Sequence, residues 1–261
     1  MRGWFGALLV AALTLALLFL TVPVLAIFVD TAPGDLVRSL GEEGSLEALR
    51  LSLVCSTIAV ALIVLVGTPA AYLLATRRFR GRSVVVTLIE LPLVLPPAVA
   101  GIGLLAALGP QGLLGGAGPE LVLTTAGVIV ALTFVSAPFY MRQAQAGFEA
   151  MDRTLLDASQ TLGAGPARTF LRVAIPSAGP SLAAGLALAW GRALGEFGAT
   201  LMFAGSFRGI TQTVPLAIYE RFSTDFTGAL ALSAVLVAVS AALLLAVKVL
   251  SGSAWLGGAA R

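Results

Sequence analysis

The 261-residue chain is 58% hydrophobic and only 11% charged, with a mean hydropathy of +0.99. Soluble domains carry about 25% charged residues, so the composition excludes a soluble globule and points to an all-α integral membrane chain. There is no His and one Cys, Cys55, which excludes an internal disulfide, argues against a His/Cys metal site and removes the commonest general base; the net charge of +3 reads as arginines facing the cytoplasm, and no cofactor, metal or nucleic-acid partner is expected.

Apolar runs long enough to cross a bilayer, which takes about 20 residues, recur six times, at roughly 4–28, 46–76, 84–108, 121–141, 177–204 and 226–250. Residues 1–261 therefore read as a single transmembrane domain. The first run follows Met1-Arg2, and Val24-Leu25-Ala26 resembles a signal-peptidase site. Its apolar stretch exceeds the about 7–15 residues of a signal core, so a retained helix is expected, with a cleaved signal as the alternative. The basic residues set the orientation. With a cytoplasmic N-terminus, Arg2, Arg77, Arg78, Arg80, Arg82, Arg142, Arg153, Arg168, Arg172, Lys248 and Arg261 lie inside. Arg38, Arg50, Arg208 and Arg221 lie outside, and Arg192 falls within a span. Both termini are thus expected in the cytoplasm of a multi-pass protein of the cell membrane. The cluster Arg77-Arg78-Phe79-Arg80-Gly81-Arg82 reads as a topology anchor, with a polybasic lipid-binding patch as its alternative.

The loop 30–47 is acidic, with Asp30, Asp35, Glu42, Glu43 and Glu47 against Arg38, and reads as a solvated outer loop. Within the third span, Glu90-Leu91-Pro92-Leu93-Val94-Leu95-Pro96-Pro97 cannot continue as a regular helix. Such backbone is tolerated at membrane depth when buried in protein or lining a cavity. A simple kink and a break that lines a pore at Pro96 remain open. The Gly- and Pro-rich loop 109–120 reads as an outer or re-entrant loop, and Thr133, Ser136 and Pro138 read as helix-packing groups.

After the fourth span, residues 149–176 form the longest polar-containing interval. Asp157 to Leu162 has helical composition, and Gly163-Ala164-Gly165-Pro166 reads as a turn, with Pro166 suited to open a helix. Phe170, Leu171 and Val173 then recur with Arg168 and Arg172 at helical spacing. The residues alone allow a surface helical hairpin.

The fifth span contains Gly191-Arg192-Ala193-Leu194-Gly195-Glu196-Phe197-Gly198-Ala199-Thr200. Ionisable groups at membrane depth usually pair or line a path. Arg192 and Glu196 are four residues apart, as on one helix face. A helix beginning near Ser177 would carry them roughly 22 and 28 Å along its axis. Gly191, Gly195 and Gly198 recur on an overlapping face that permits close approach. A packing role sealed by an ion pair and a direct contact with a transported solute both fit.

The spacing Asp157-Ala158-Ser159, Gly163, Ile175-Pro176 resembles the cytoplasmic signature loop of ABC-importer permeases, the loop that docks on the ATPase. Asp157 and Ser159 stand where that family usually has Glu and Ala. Gly195-Glu196-Phe197-Gly198-Ala199 with Thr200–Gly205 and Thr211–Tyr219 resembles the molybdate permease branch; sulfate permeases share the Gly-Glu-Phe-Gly-Ala core. The resemblance implies the type I importer permease fold with about six membrane helices and a coupling-helix loop. It also implies a cytoplasmic ATPase dimer, an extracytoplasmic oxyanion-binding protein and a second permease, expected to be identical. Molybdate, with tungstate accepted, is the implied substrate; a sulfate or thiosulfate permease and, more remotely, an ion-coupled transporter using Glu90 or Glu196 are the alternatives. No nucleotide-binding Gly-x-x-x-x-Gly-Lys-Ser/Thr loop is present, so the chain is expected to be no enzyme itself. Pro96, Arg192, Glu196 and Thr200 are the candidate pore or gate residues.

Overall fold

The computed structural model describes residues 3–31, 33–42, 44–115 and 120–256. Arg2, Glu43, Arg261 and residues 116–119 of the 109–120 loop lie outside the described residues, as do the side chains of Asp35 and Lys248. The described residues form helices and loops with no strand.

Three helices make the interior: α3 (Ser45–Thr76), α6 (Thr125–Glu149) and α10 (Gly179–Leu194). α3 buries Ser45, Ala48, Ser52, Cys55, Ala59, Ile63, Gly67 and Ala71, a stripe of mostly small residues at helical spacing. Small residues also bring α6 against α10. A Cβ on Gly147 would lie 2.4 Å from Ser181 Cβ, and one on Gly185 would lie 3.1 Å from Gln143 Cβ. α6 starts later than hydropathy suggests, because Thr124 caps it by accepting the Gly127 N–H at 3.1 Å. It also runs on to Glu149 through a polar last segment in which Gln145 donates to Glu149 at 2.8 Å. A buried hydroxyl pair ties the inner helices. Thr68 Oγ1 donates to the Val64 carbonyl at 2.6 Å, so the Tyr140 hydroxyl, also 2.6 Å away, is the donor to Thr68.

α1 (Gly3–Val29) leaves its large apolar side chains exposed and meets the rest through α13 (Phe226–Leu256). The supposed loop 30–47 contains a short helix, α2 (Pro33–Gly41), packed on α13. Its length and polarity hid it from hydropathy. Among the described residues, four helices are long and apolar enough to cross a membrane, and two bent pairs raise the number to six if each pair is one span.

Two of the expected spans are interrupted. The third is two helices, α4 (Arg82–Val94) and α5 (Pro97–Leu108), bent by 118° at the prolines. Back-to-back prolines force the break: a residue before proline is pushed out of the α region, and Leu95 and Pro96 have ψ of 131° and 137°. The bend exceeds a kink. The fifth is also divided, into α10 and α11 (Gly198–Ala204), with Gly195 to Phe197 between them.

Candidate functional site

The two breaks meet. A Cβ on Gly198 would lie 2.8 Å from Pro97 Cβ, and one on Gly101 would lie 2.7 Å from the Ala199 carbonyl oxygen and 2.7 Å from Met202 Cβ. The first turns of α5 and α11 therefore touch backbone to backbone, beneath a cluster of Ala100, Leu104, Ala131, Val135, Ala199 and Phe203. Of the glycine face expected on the fifth span, only Gly198 makes such an approach. Gly191 has open space, and Gly195 faces only the Gly191 carbonyl of its own helix. Gly101, the partner from α5, was missed; its only sequence signal is the Gly101-x-Gly103 spacing in an apolar run.

Glu196 lies in the break rather than on a helix face. Gly195 ends α10 at φ −88° and ψ 5°, so the helical rise does not extend to Glu196. Its side chain is fully buried, and Oε1 accepts the Ala199 N–H at 2.6 Å, holding the first turn of α11. Oε2 lies 2.6 Å from Arg192 Nη2 as an ion pair without hydrogen-bond alignment. The Arg192 side chain keeps 25% of its exposure, so the charge pair reaches from the sealed interior to the surface of the chain. Glu90 is likewise engaged, with Arg142 at 2.7 Å. Thr200 is buried, with no hydrogen-bond partner for its hydroxyl among the described residues. Pro96 caps α5 at the other break, where it defines the turn.

Beyond α11, Gly205 and Gly209 turn the chain at φ +70° and +71°. Thr211, Gln212 and Thr213 are buried, and α12 (Val214–Phe222) packs on α3 and α13. Val214 N–H donates to Ser52 Oγ at 2.8 Å, and the rings of Phe197 and Tyr219 stand 5.0 Å apart. The Thr211–Tyr219 segment is thereby tied to the Glu196 break.

The second group of expected residues lies apart, on a hairpin. Asp152 caps α7 (Arg153–Thr161), accepting the Thr154 N–H at 2.9 Å. That backbone hydrogen bond, with the Thr154 side chain second, holds the Asp152 carboxyl below its ordinary range. The chain then turns at Gly163, whose φ is +82°, and a Cβ there would meet nothing within 4 Å; conformation alone, and not space, requires glycine. Pro166 opens the return limb, α8 (Pro166–Thr169). This limb continues as a π-helical turn over Phe170–Ala174 and α9 (Ile175–Ser177), a local widening that residue spacing did not reveal. Asp157 and Ala158 are exposed, as are Leu155 and Leu162. Ser159, where an Ala was expected, bonds through Oγ to Thr169 Oγ1 at 2.9 Å across the hairpin. Phe170 stacks on Tyr72 at 4.8 Å and Tyr72 on Phe148 at 5.3 Å, fixing the hairpin to α3 and α6. Ile175 and Pro176 end the return limb, which meets α10 at a 74° bend.

Residues 63–254 match the family described as "Binding-protein-dependent transport system inner membrane component". A probable molybdenum ABC transporter permease of Haloferax volcanii is 36% identical over 97% of this chain and 92% of its own length. The molybdenum transport system permease ModB of Mycobacterium bovis is 40% identical over 88% and 89%, and the sulfate transport system permease CysW of Synechococcus elongatus is 34% identical over 76% and 73%. Among solved structures, a chain of a bacterial alginate ABC transporter, in complex with an alginate pentasaccharide-bound periplasmic protein, aligns with a TM-score of 0.75. That alignment covers 96% of this chain and 94% of the other at 19% identity, a likeness of fold.

Proposed function

The chain belongs to the family of binding-protein-dependent transport system inner membrane components, and we propose that within it this protein passes molybdate inward, accepting tungstate as well. It is an ABC importer permease, and ATP hydrolysis belongs to a separate subunit. The complete importer in this reading holds two copies of the chain, a cytoplasmic ATPase dimer and an extracytoplasmic oxyanion-binding protein. The basic residues, eleven on one side against four on the other, support cytoplasmic termini.

The observation that carries anion passage is the sealing of Glu196. A tetrahedral dianion cannot cross hydrocarbon unaided, and a free carboxylate beside its path would repel it. Here that carboxylate is consumed by Arg192 and the Ala199 N–H. The passage is left to uncharged donors, the Thr200 hydroxyl, buried in this arrangement, and the N–H groups of Ala98 and Val99 that open α5 among them. Weak binding suffices when a separate protein delivers the anion. The same pairings, with Arg142 on Glu90, disfavour ion-coupled transport, since neither carboxylate is free. The names of the relatives at 36% and 40% identity support molybdate over sulfate. On the hairpin, Asp157, Ala158 and Ser159 with Gly163 form the surface that enters the ATPase, and Ile175-Pro176 hinge it to α10.

The test is ATP hydrolysis by the complete complex in liposomes with its binding protein. Stimulation by molybdate and tungstate, with none by sulfate, is expected. Stimulation by sulfate alone assigns the neighbouring branch.

A further inference from the structure

We propose that the recess between the link joining α3 to α4 and the start of the α7 hairpin binds the phosphate headgroup of an anionic phospholipid. The recess has a volume of about 260 Å³ and is lined by Ala75, Arg77, Arg78, Arg82, Glu149 and Arg153. Two of these charges are already used. Arg82 holds Glu149 at 2.6 Å and the Leu74 carbonyl at 2.7 Å, and Glu149 also accepts from Gln145. The guanidinium groups of Arg77, Arg78 and Arg153 have no ionic or hydrogen-bonded partner among the described residues.

Three unpaired guanidiniums around one small recess call for a multivalent oxyanion, because a guanidinium meets phosphate through two parallel hydrogen bonds. Depth selects the source. α3 ends at Thr76 and α4 begins at Arg82, so the link lies where a membrane-length helix leaves the bilayer. Basic pockets between helices on the cytoplasmic side attract anionic lipid headgroups. The chemistry beside it fits an amphiphile. An adjoining cleft of about 720 Å³ shares Arg77, Glu149 and Arg153 and is lined by Tyr72, Phe148 and Leu156 together with the polar Asp157, Gln160 and Thr169. Tyr72 lies one turn back along α3 from Thr76, on the bundle side of that cleft.

Arg153 opens α7 while Arg77 and Arg78 follow α3. A headgroup bridging them ties the hairpin to the inner bundle, so lipid occupancy holds the ATPase-facing hairpin in place. This consequence for coupling rests on the permease reading above; the lipid site itself does not.

The complete complex, purified with its partner subunits and incubated with phosphatidylglycerol or phosphatidylcholine of the same acyl chains, is weighed by native mass spectrometry. Preferential retention of phosphatidylglycerol is expected. The triple variant Arg77→Gln, Arg78→Gln, Arg153→Gln loses that preference by roughly ten-fold or more, while its assembly state is read from the same spectra. The charge-matched variant Arg80→Gln, Arg168→Gln, Arg172→Gln, whose side chains do not line the recess, keeps it. Equal retention in wild type and the first variant, or equal loss in the second, overturns the site. Displacement by millimolar inorganic phosphate at matched ionic strength assigns it to free phosphate and overturns the lipid. Loss of retained lipid with unchanged oxyanion-stimulated ATP hydrolysis leaves the lipid site standing and removes only the coupling consequence.

Discussion

A Cβ placed on Gly101 would lie 2.7 Å from the carbonyl oxygen of Ala199, closer than any real side chain sits. Two broken helices, far apart in sequence, are thereby held backbone to backbone at the point where each interrupts its passage through the bundle. Whatever moves α11 must move α5.

Gly101→Val is accordingly expected to push the two apart. Overpacking of this kind costs about 1–3 kcal/mol. The complex should still assemble, with a lowered Tm, while transport is lost. Gly103→Val, two residues away with nothing within 4 Å of its Cβ position, should transport normally. Equal transport by both variants removes the junction from the gate.

Removing Arg192 alone leaves the fully buried Glu196 carboxylate with only the Ala199 N–H. Breaking a buried pair costs about 3–5 kcal/mol, and the partial exposure of Arg192 places this case at the lower end. Adding Glu196→Ala removes the stranded charge but also the hold on α11, so recovery of assembly and transport should be partial. Adding Glu196→Gln instead keeps an acceptor for Ala199, and recovery should be greater. Comparison of the three variants for assembled complex and uptake decides the matter. Absence of transport in both double variants, with assembly restored, gives Arg192 a direct contact with the anion.

Gly163 adopts φ +82°, where an L side chain costs about 1–2 kcal/mol. Gly163→Leu should insert and pair normally but lose ATPase docking, measured by co-purification of the ATPase. Retention of full oxyanion-stimulated hydrolysis by this variant excludes the hairpin as the coupling element.

With the buried Cys55 replaced by alanine, a cysteine introduced at Ser83 should react with an impermeant maleimide only from the cytoplasm, and one introduced at Gly41 only from outside. Both positions are exposed. Reversal at either overturns the cytoplasmic N-terminus.

Asp152 has its carboxyl held below the ordinary value of 3.8 by the Thr154 N–H. Its native value is the lowered one, so its contribution to α7 is present above the unfolded value and lost as pH falls through the native one. Protease sensitivity of the hairpin should rise at acid pH in the wild type. In Asp152→Asn, which caps without titrating, that rise should be smaller. Identical acid sensitivity in both assigns the effect elsewhere.

What the sequence revealed depended on how local the cause was. Pro96-Pro97 announces a break because proline acts on its own neighbours, and Gly163 with Pro166 announces a turn for the same reason. The 118° reversal between α4 and α5 was not legible, because it is stabilised by Gly101 on Ala199 and Gly198 on Pro97. Arg192 and Glu196 could be paired from their separation, but the inferred reason was incomplete. They bridge the end of a helix, and Glu196 also serves the next one. The Gly191 and Gly195 face failed because periodicity presumes a helix that in fact stops at Leu194. Arg153 joining Arg77 and Arg78 was invisible for a different reason: two helices and a hairpin must fold before those charges meet.

The aromatic stack of Tyr72, Phe148 and Phe170 holds only the return limb of the hairpin. The outgoing limb turns Leu155, Ala158 and Leu162 outward, packs Leu156 against the same core and bonds to the return limb through Ser159 and Thr169. The hairpin is therefore built like a plug in a socket, with Leu156 and Phe170 as its mounting and Leu155, Ala158 and Leu162 on its outer edge. Residues 153–165 exchanged between related permeases, with Leu156, Thr169 and Phe170 kept, should carry ATPase preference with them and leave the membrane bundle as it was.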